Sequence, residues 1–201
     1  MTSPRKPGRT AEETRERLLD AAAAEFGAKG YAGARTACIA ARAGVNQQLI
    51  SYHFGGKQGL LDELRRRWQE VQATIVPPGA SFADALGAHL DATLDRPDRA
   101  RLVVWQALGD CPFADAKEGR DRAERQREAT AEAVAEVRGR QENGEIRAGI
   151  DPAFALLVAH AVALAPVTMP QFVRDVLGDD PLSPETREML RTQLVKLLTD
   201  D

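Results

Sequence analysis

Cysteine is nearly missing from this chain of 201 residues: there are two, Cys38 and Cys111, with no C-x-x-C spacing. That excludes a disulfide framework and a thiolate metal site. Valine and isoleucine are also few, 13 and 5 against 34 alanines. So large an excess of the best helix former over β-branched residues argues against a sheet and for an all-α fold. No run of eighteen uncharged apolar residues occurs. The longest candidate, 154–173, contains His160, Pro166 and Pro170 and is not a membrane span. The opening MTSPRKPGRT has no apolar signal core, so a reduced, cytoplasmic protein with no membrane partner is expected. Also missing are a phosphate-binding glycine loop, paired carboxylates at a catalytic spacing, a metal cluster and a nucleophile motif. Neither an enzyme nor a bound cofactor or metal is expected.

The remaining composition, 43% apolar and 28% charged, is that of a globular chain able to bury a core, as one large domain or a small one joined to a larger. Its charge is unevenly spread. Residues 1–57 hold nine Lys/Arg and five Asp/Glu, net +4, whereas 58–201 are net −7. A basic head on an acidic body suits a protein that brings only its head to a polyanion.

Helix signals follow one another along the whole chain. Thr10 with Glu13 forms a capping box, and Leu18, Ala22, Glu25 and Phe26 continue at helical spacing, predicting a helix over about 11–27 that stops at Gly27 to Gly30. A short helix over 36–43, with Ile39, Ala40 and Ala43 on one side, ends at Gly44. A second is capped by Asn46 and runs to Phe54, turning Val45, Ile50 and Phe54 inward. Two short helices meeting at a glycine turn are a helix-turn-helix, whose second helix enters the DNA major groove. Its exposed set is Gln47, Gln48, Ser51, Tyr52 and His53. Further helices are expected over 59–75, 81–95, 98–109, 116–142, 152–173 and 184–199, with Asp151-Pro152 and Ser183-Pro184 as strong starts.

The stretch IAARAGVNQQLISYHFGGKQGLL, from Ile39 to Leu61, preceded by FGAKGYAGART, resembles the DNA-binding domain of the TetR family of transcriptional regulators. The likeness covers about residues 10–61 and rests on the Ala-Gly-Val turn, the aromatic-His-Phe end of the second helix and the lysine three residues beyond that phenylalanine. It implies a homodimer that binds a pseudo-palindromic double-stranded DNA operator, acts as a repressor and lets go when a small-molecule effector enters the helical body. By resemblance the recognition positions are Asn46, Gln47, Gln48, Leu49, Ser51, Tyr52 and His53, with Thr36 and Lys57 at phosphate-contacting positions. Ser51 stands where the family usually has tyrosine, so that tyrosine's contact does not transfer. Glutamine can bond adenine bidentately, which makes Gln47 and Gln48 the first choices for reading sequence. Arg5, Lys6 and Arg9 form a basic arm of a kind that enters a minor groove.

The division expected is a DNA-binding head over 1–57 and an effector-binding, dimerising body over 58–201. Trp68, Phe82, His89, Trp105, Gln106 and Phe113 are the candidate effector-pocket residues, aromatic walls with a few polar groups. Phe154, Leu157 and Val158, on a helix apolar almost all round, and Leu190, Leu194, Leu197 and Leu198, on the last helix, are the candidate dimer surface, expected to form a four-helix bundle from two subunits. Cys38 reads as small filler inside the motif. An architectural DNA binder whose body only dimerises is the alternative reading.

Overall fold

The computed structural model describes residues 10–72, 74–109 and 116–200, which form ten helices and no strand. The arm residues Arg5, Lys6 and Arg9, together with Cys111 and Phe113, lie outside the described residues.

Helix α1 spans Ala11–Gly33. It starts as the capping box requires: the Glu13 amide donates to Thr10 Oγ1 at 3.2 Å and the Thr10 amide to Glu13 Oε2 at 3.0 Å. It also runs six residues past the expected end. Gly30 does take a positive φ of 68°, but the chain resumes a last helical turn beyond it, where Tyr31 stacks on Phe26 with ring centroids 5.8 Å apart. Helices α2 (Thr36–Ala43) and α3 (Gln48–Phe54) meet at Gly44, whose φ of 64° closes α2 in the left-handed conformation. Helix α4 (Lys57–Gln72) begins two residues before Gly59 and ends at Gln72 instead of 75.

These four helices enclose one core: Leu18, Ala22 and Phe26 of α1, Ile39 and Ala43 of α2, Ile50 of α3, and Leu60, Leu61 and Leu64 of α4. Only the first half of α4 belongs to it, since Trp68 is partly exposed and Val71 is exposed. The core is completed by Leu102 of α6 (Pro97–Ala107), which packs along α1.

The remaining helices are α5 (Phe82–Leu94), α7 (Ala116–Glu142), α8 (Pro152–Thr168), α9 (Pro170–Leu177) and α10 (Pro184–Leu198); α5 and α8 pack on α6, α7 and α9 on α8, and α10 on α5 and α8. Asp151 and Ser183 cap α8 and α10 as their sequence predicts, accepting from the amides of Phe154 and Thr186. A second core gathers Leu90 and Leu94 of α5, Ala100 of α6, and Ala163 and Val167 of α8. The single helix expected over 152–173 is instead two, α8 and α9, bent by 100°. Pro170 is the cause: proline pushes the residue before it out of the α region, and Met169 sits at φ −130°, ψ 52°. No single helix among the described residues is long and apolar enough to cross a membrane.

Candidate nucleic-acid interface

Helix α3 stands on the head core through Ile50, which is 1% exposed, and turns its polar residues outward. Asn46 Oδ1 accepts the Gln48 amide at 2.8 Å, and the Leu49 amide donates to the Asn46 carbonyl at 3.1 Å, so Asn46 braces the turn into α3, although the N-cap is Gln47, one residue later than expected. Gln47 Nε2 donates to Thr36 Oγ1 at 2.9 Å, tying the start of α3 to the start of α2. The bond uses one of two amide hydrogens and leaves Gln47 Oε1 as an acceptor. Gln48 and Ser51 are exposed, and Tyr52 is 81% exposed, far more than a packing tyrosine. His53 is partly buried between Tyr52, 4.9 Å away edge-on, and Phe54, 6.2 Å away. Leu49 departs from the candidate set, since it packs partly buried against the head core. Lys57 Nζ lies 4.3 Å from the centre of the Tyr31 ring, which fixes its stem at the mouth of α4. Cys38 is exposed on α2, so it is not the core filler expected.

Sequence reading missed the ion-pair network behind α3. Arg15 of α1 pairs with Glu63 of α4 at 3.0 Å, and its guanidinium covers the Phe54 ring at 5.1 Å. Glu63 also accepts from Arg66 at 2.8 Å and Arg67 at 3.1 Å, while Arg67 reaches back to Glu16 at 2.6 Å. Hydrogen bonding from Arg66 first, then Arg67 and Arg15, outweighs burial and lowers Glu63 from 4.5 to about 2. Since its folded-state value lies below the unfolded one, ionised Glu63 stabilises the head above pH 4.5, and that contribution is lost as pH falls from 4.5 toward about 2. Thermal melts should show the midpoint dropping across this window. Glu63→Gln should melt lower at neutral pH and lose part of the acid slope; an unchanged slope contradicts the assignment.

The candidate pocket residues are scattered. Trp105 Nε1 donates to the Gly27 carbonyl at 3.2 Å, which places it on the seam between α6 and α1. Gln106 accepts from Arg122 of α7 at 2.6 Å, and the Phe82 amide donates to Glu145 at 2.8 Å. Trp68 is partly exposed on α4. His89 reaches solvent on α5, yet desolvation by its surroundings, aided by His160 of α8 and opposed by Glu136 of α7, lowers its pKa. Two grooves stand out among the described residues, one along α7 from Gln126 to Arg138 and one between α4 and α6. None of these five residues lines either. On the candidate dimer surface, Phe154, Leu157 and Leu197 are 59%, 62% and 51% exposed, and Val158 and Leu190 are partly buried. Leu194 and Leu198, at 2% and 1%, are packed inside the subunit and present no surface to a mate.

Two family models match this chain. "Bacterial regulatory proteins, tetR family" matches residues 18–64, and "Tetracyclin repressor-like, C-terminal domain" matches residues 82–197. The HTH-type transcriptional repressor SCO4008 of Streptomyces coelicolor is 34% identical over 174 residues, 85% of this chain and 86% of the relative. The HTH-type transcriptional regulator SrpR of Pseudomonas putida is 44% identical over 110 residues, 52% of each chain. Among solved structures, the putative transcriptional regulator SCO4942 of Streptomyces coelicolor superposes with a TM-score of 0.66 at 25% identity, covering 92% of this chain and 98% of that one. The ketosteroid transcriptional regulator KstR2 of Mycobacterium tuberculosis shares the fold, with a TM-score of 0.66 at 19% identity over 98% of this chain and 100% of that one. With family models spanning head and body alike, the chain belongs to the TetR family of helix-turn-helix transcriptional regulators.

Proposed function

We propose that this regulator is a homodimeric repressor that binds a pseudo-palindromic operator through two copies of α3 and leaves it when a small molecule occupies the body. The observation that carries the reading is the outward face of α3. Gln48, Ser51 and Tyr52 are free of the core, and Gln47 is pre-positioned by Thr36. The division at residue 57 is part of the proposal, with the first half of α4 completing the head core. Thr36 and Lys57 sit at the two ends of the motif, where a hydroxyl and a cation fix its register on phosphates. Gln47 and Gln48 read base edges. Phe154 and Leu157 on α8 with Leu197 on α10 form the surface for the second subunit. The mate sets the two α3 helices one turn of DNA apart, roughly 34–36 Å. The effector favours a body shape that spoils this spacing.

Selection of bound duplexes from a random pool tests the reading, with a recovered palindrome as the expected result. Gln48→Ala should then weaken the selected operator roughly 5- to 150-fold, the equivalent of about 1–3 kcal/mol for a bidentate base contact, and leave random duplex unaffected. Equal loss on both duplexes removes Gln48 as a base reader. Affinity should fall steeply with salt, because phosphate contacts release counterions.

A further inference from the structure

The groove between α4 and α6, about 500 Å³, is walled by Arg66, Arg67, Glu70, Val71, Thr74 and Arg99. It lies where the head helix α4 passes the body helix α6, and α1 runs alongside both. Its acids already have partners. Glu70 pairs with Arg66, Glu63 with Arg15, Arg66 and Arg67, and Glu16 with Arg67. Asp20 of α1 stands 4.0 Å from Arg96. Arg99 differs from these cations. It is partly buried, and its guanidinium has no hydrogen bond or ion pair among the described residues. Desolvation first, then repulsion from Arg96 and Arg67, lowers its pKa, with Asp20 opposing. A half-buried guanidinium with no protein partner in the groove keeps its donors for an anion that enters there. A guanidinium presents a planar fork of donors matched to the two oxygens of a carboxylate or phosphate. Beside it, Val71 leaves 41% of its surface exposed, an apolar wall next to the charged corner.

We propose that this groove binds a small oxyanion bearing a short apolar segment, with Arg99 holding the oxygens and Val71 the apolar part. Bound there, the ligand bridges α4 to α6. The site is separate from the body interior invoked for the effector, and its test needs no DNA, so it stands or falls apart from the operator reading.

Full-length protein is melted with sodium octanoate, with inorganic phosphate and with octanol, and octanoate is also titrated calorimetrically. Octanoate at ten times its Kd should raise the midpoint by about 4 °C. Phosphate should raise it less, and octanol, which has the chain without the charge, not at all. A phosphate shift equal to the octanoate shift removes Val71 from the site and overturns the proposal in its amphiphilic form. Arg99→Gln should weaken octanoate binding at least tenfold, with Arg99→Lys in between, and should melt no lower than the parent without ligand, since an unpaired charge has gone. The proposal is overturned if octanoate fails to shift the parent, if octanol shifts it equally, or if Arg99→Gln keeps the full octanoate shift. A midpoint several degrees lower for unliganded Arg99→Gln also overturns it, by showing that Arg99 holds the fold.

Discussion

Replacing Gly59 by alanine, one methyl group, is expected to abolish specific DNA binding and to cost about 3 kcal/mol of stability, the upper range for overpacking. A Cβ at residue 59 would run into the Phe54 carbonyl oxygen and lie 2.9 Å from its carbon. Backbone fills the space, so no side chain can swing aside. Phe54 is the last residue of α3, its ring held beneath Arg15. Pushing its carbonyl away from α4 moves Tyr52 and His53 with it and tilts the face that carries Gln47 and Gln48. The control is Gly139→Ala in α7, where a Cβ meets nothing within 4 Å. There the same change should stabilise by about 0.5–1 kcal/mol, because a mid-helix glycine loses more backbone freedom on folding than alanine. Thermal melts and duplex titrations of the two variants should move in opposite directions on stability. Parental behaviour of Gly59→Ala would refute the tight seat of α3 on α4.

What the sequence made legible is what neighbouring residues decide among themselves. The Thr10 and Glu13 box, the Gly44 turn and the proline starts of α8 and α10 each depend on a few adjacent positions, and each stands where expected; the start of α3 falls one residue after the expected Asn46 cap. The exposed amides and hydroxyl of α3 were legible too, because a seven-residue helix with Ile50 inward leaves few choices for the rest. Pairings between distant elements were not legible. Arg15 and Glu63 are 48 positions apart, and nothing in either neighbourhood shows that they meet. Leu194, Leu197 and Leu198 share one heptad-like stripe, yet two are buried within the subunit and one is exposed. Which side of α10 its own α5 and α8 cover is a tertiary fact. The α8–α9 bend is a different miss: Pro170 was visible, and its effect on Met169 is local, but the apolar run through it read as one helix. Pocket residues fared worst, because convergence in space leaves no periodic trace. Trp105 belongs to a helix seam, although its aromatic ring suited a cavity wall equally well.

That seam carries the second large effect. Gly27→Ala is expected to cost about 3 kcal/mol and to loosen the body from the head. A Cβ at residue 27 would lie 2.5 Å from the Asp98 carbonyl oxygen and 2.9 Å from its Cα, so α1 and α6 touch backbone to backbone here. The same contact lets Trp105 reach the Gly27 carbonyl and brings Leu102 into the head core. Forcing α6 outward therefore breaks a hydrogen bond and opens a hydrophobic cluster together. Trp105→Phe separates the two causes: it removes the bond and leaves the close approach, and should cost only about 1 kcal/mol. If the seam is steric, Gly27→Ala melts well below Trp105→Phe, and its calorimetric transition broadens as head and body begin to unfold separately. If both variants melt alike, the indole bond and not the backbone contact joins the two parts. Any effector that moves α6 acts on the head through this line, since α6 lies along α1 and α1 shares its core with α3. Gly27→Ala should therefore also blunt the response of DNA affinity to that effector, a loss that Trp105→Phe should show only in part.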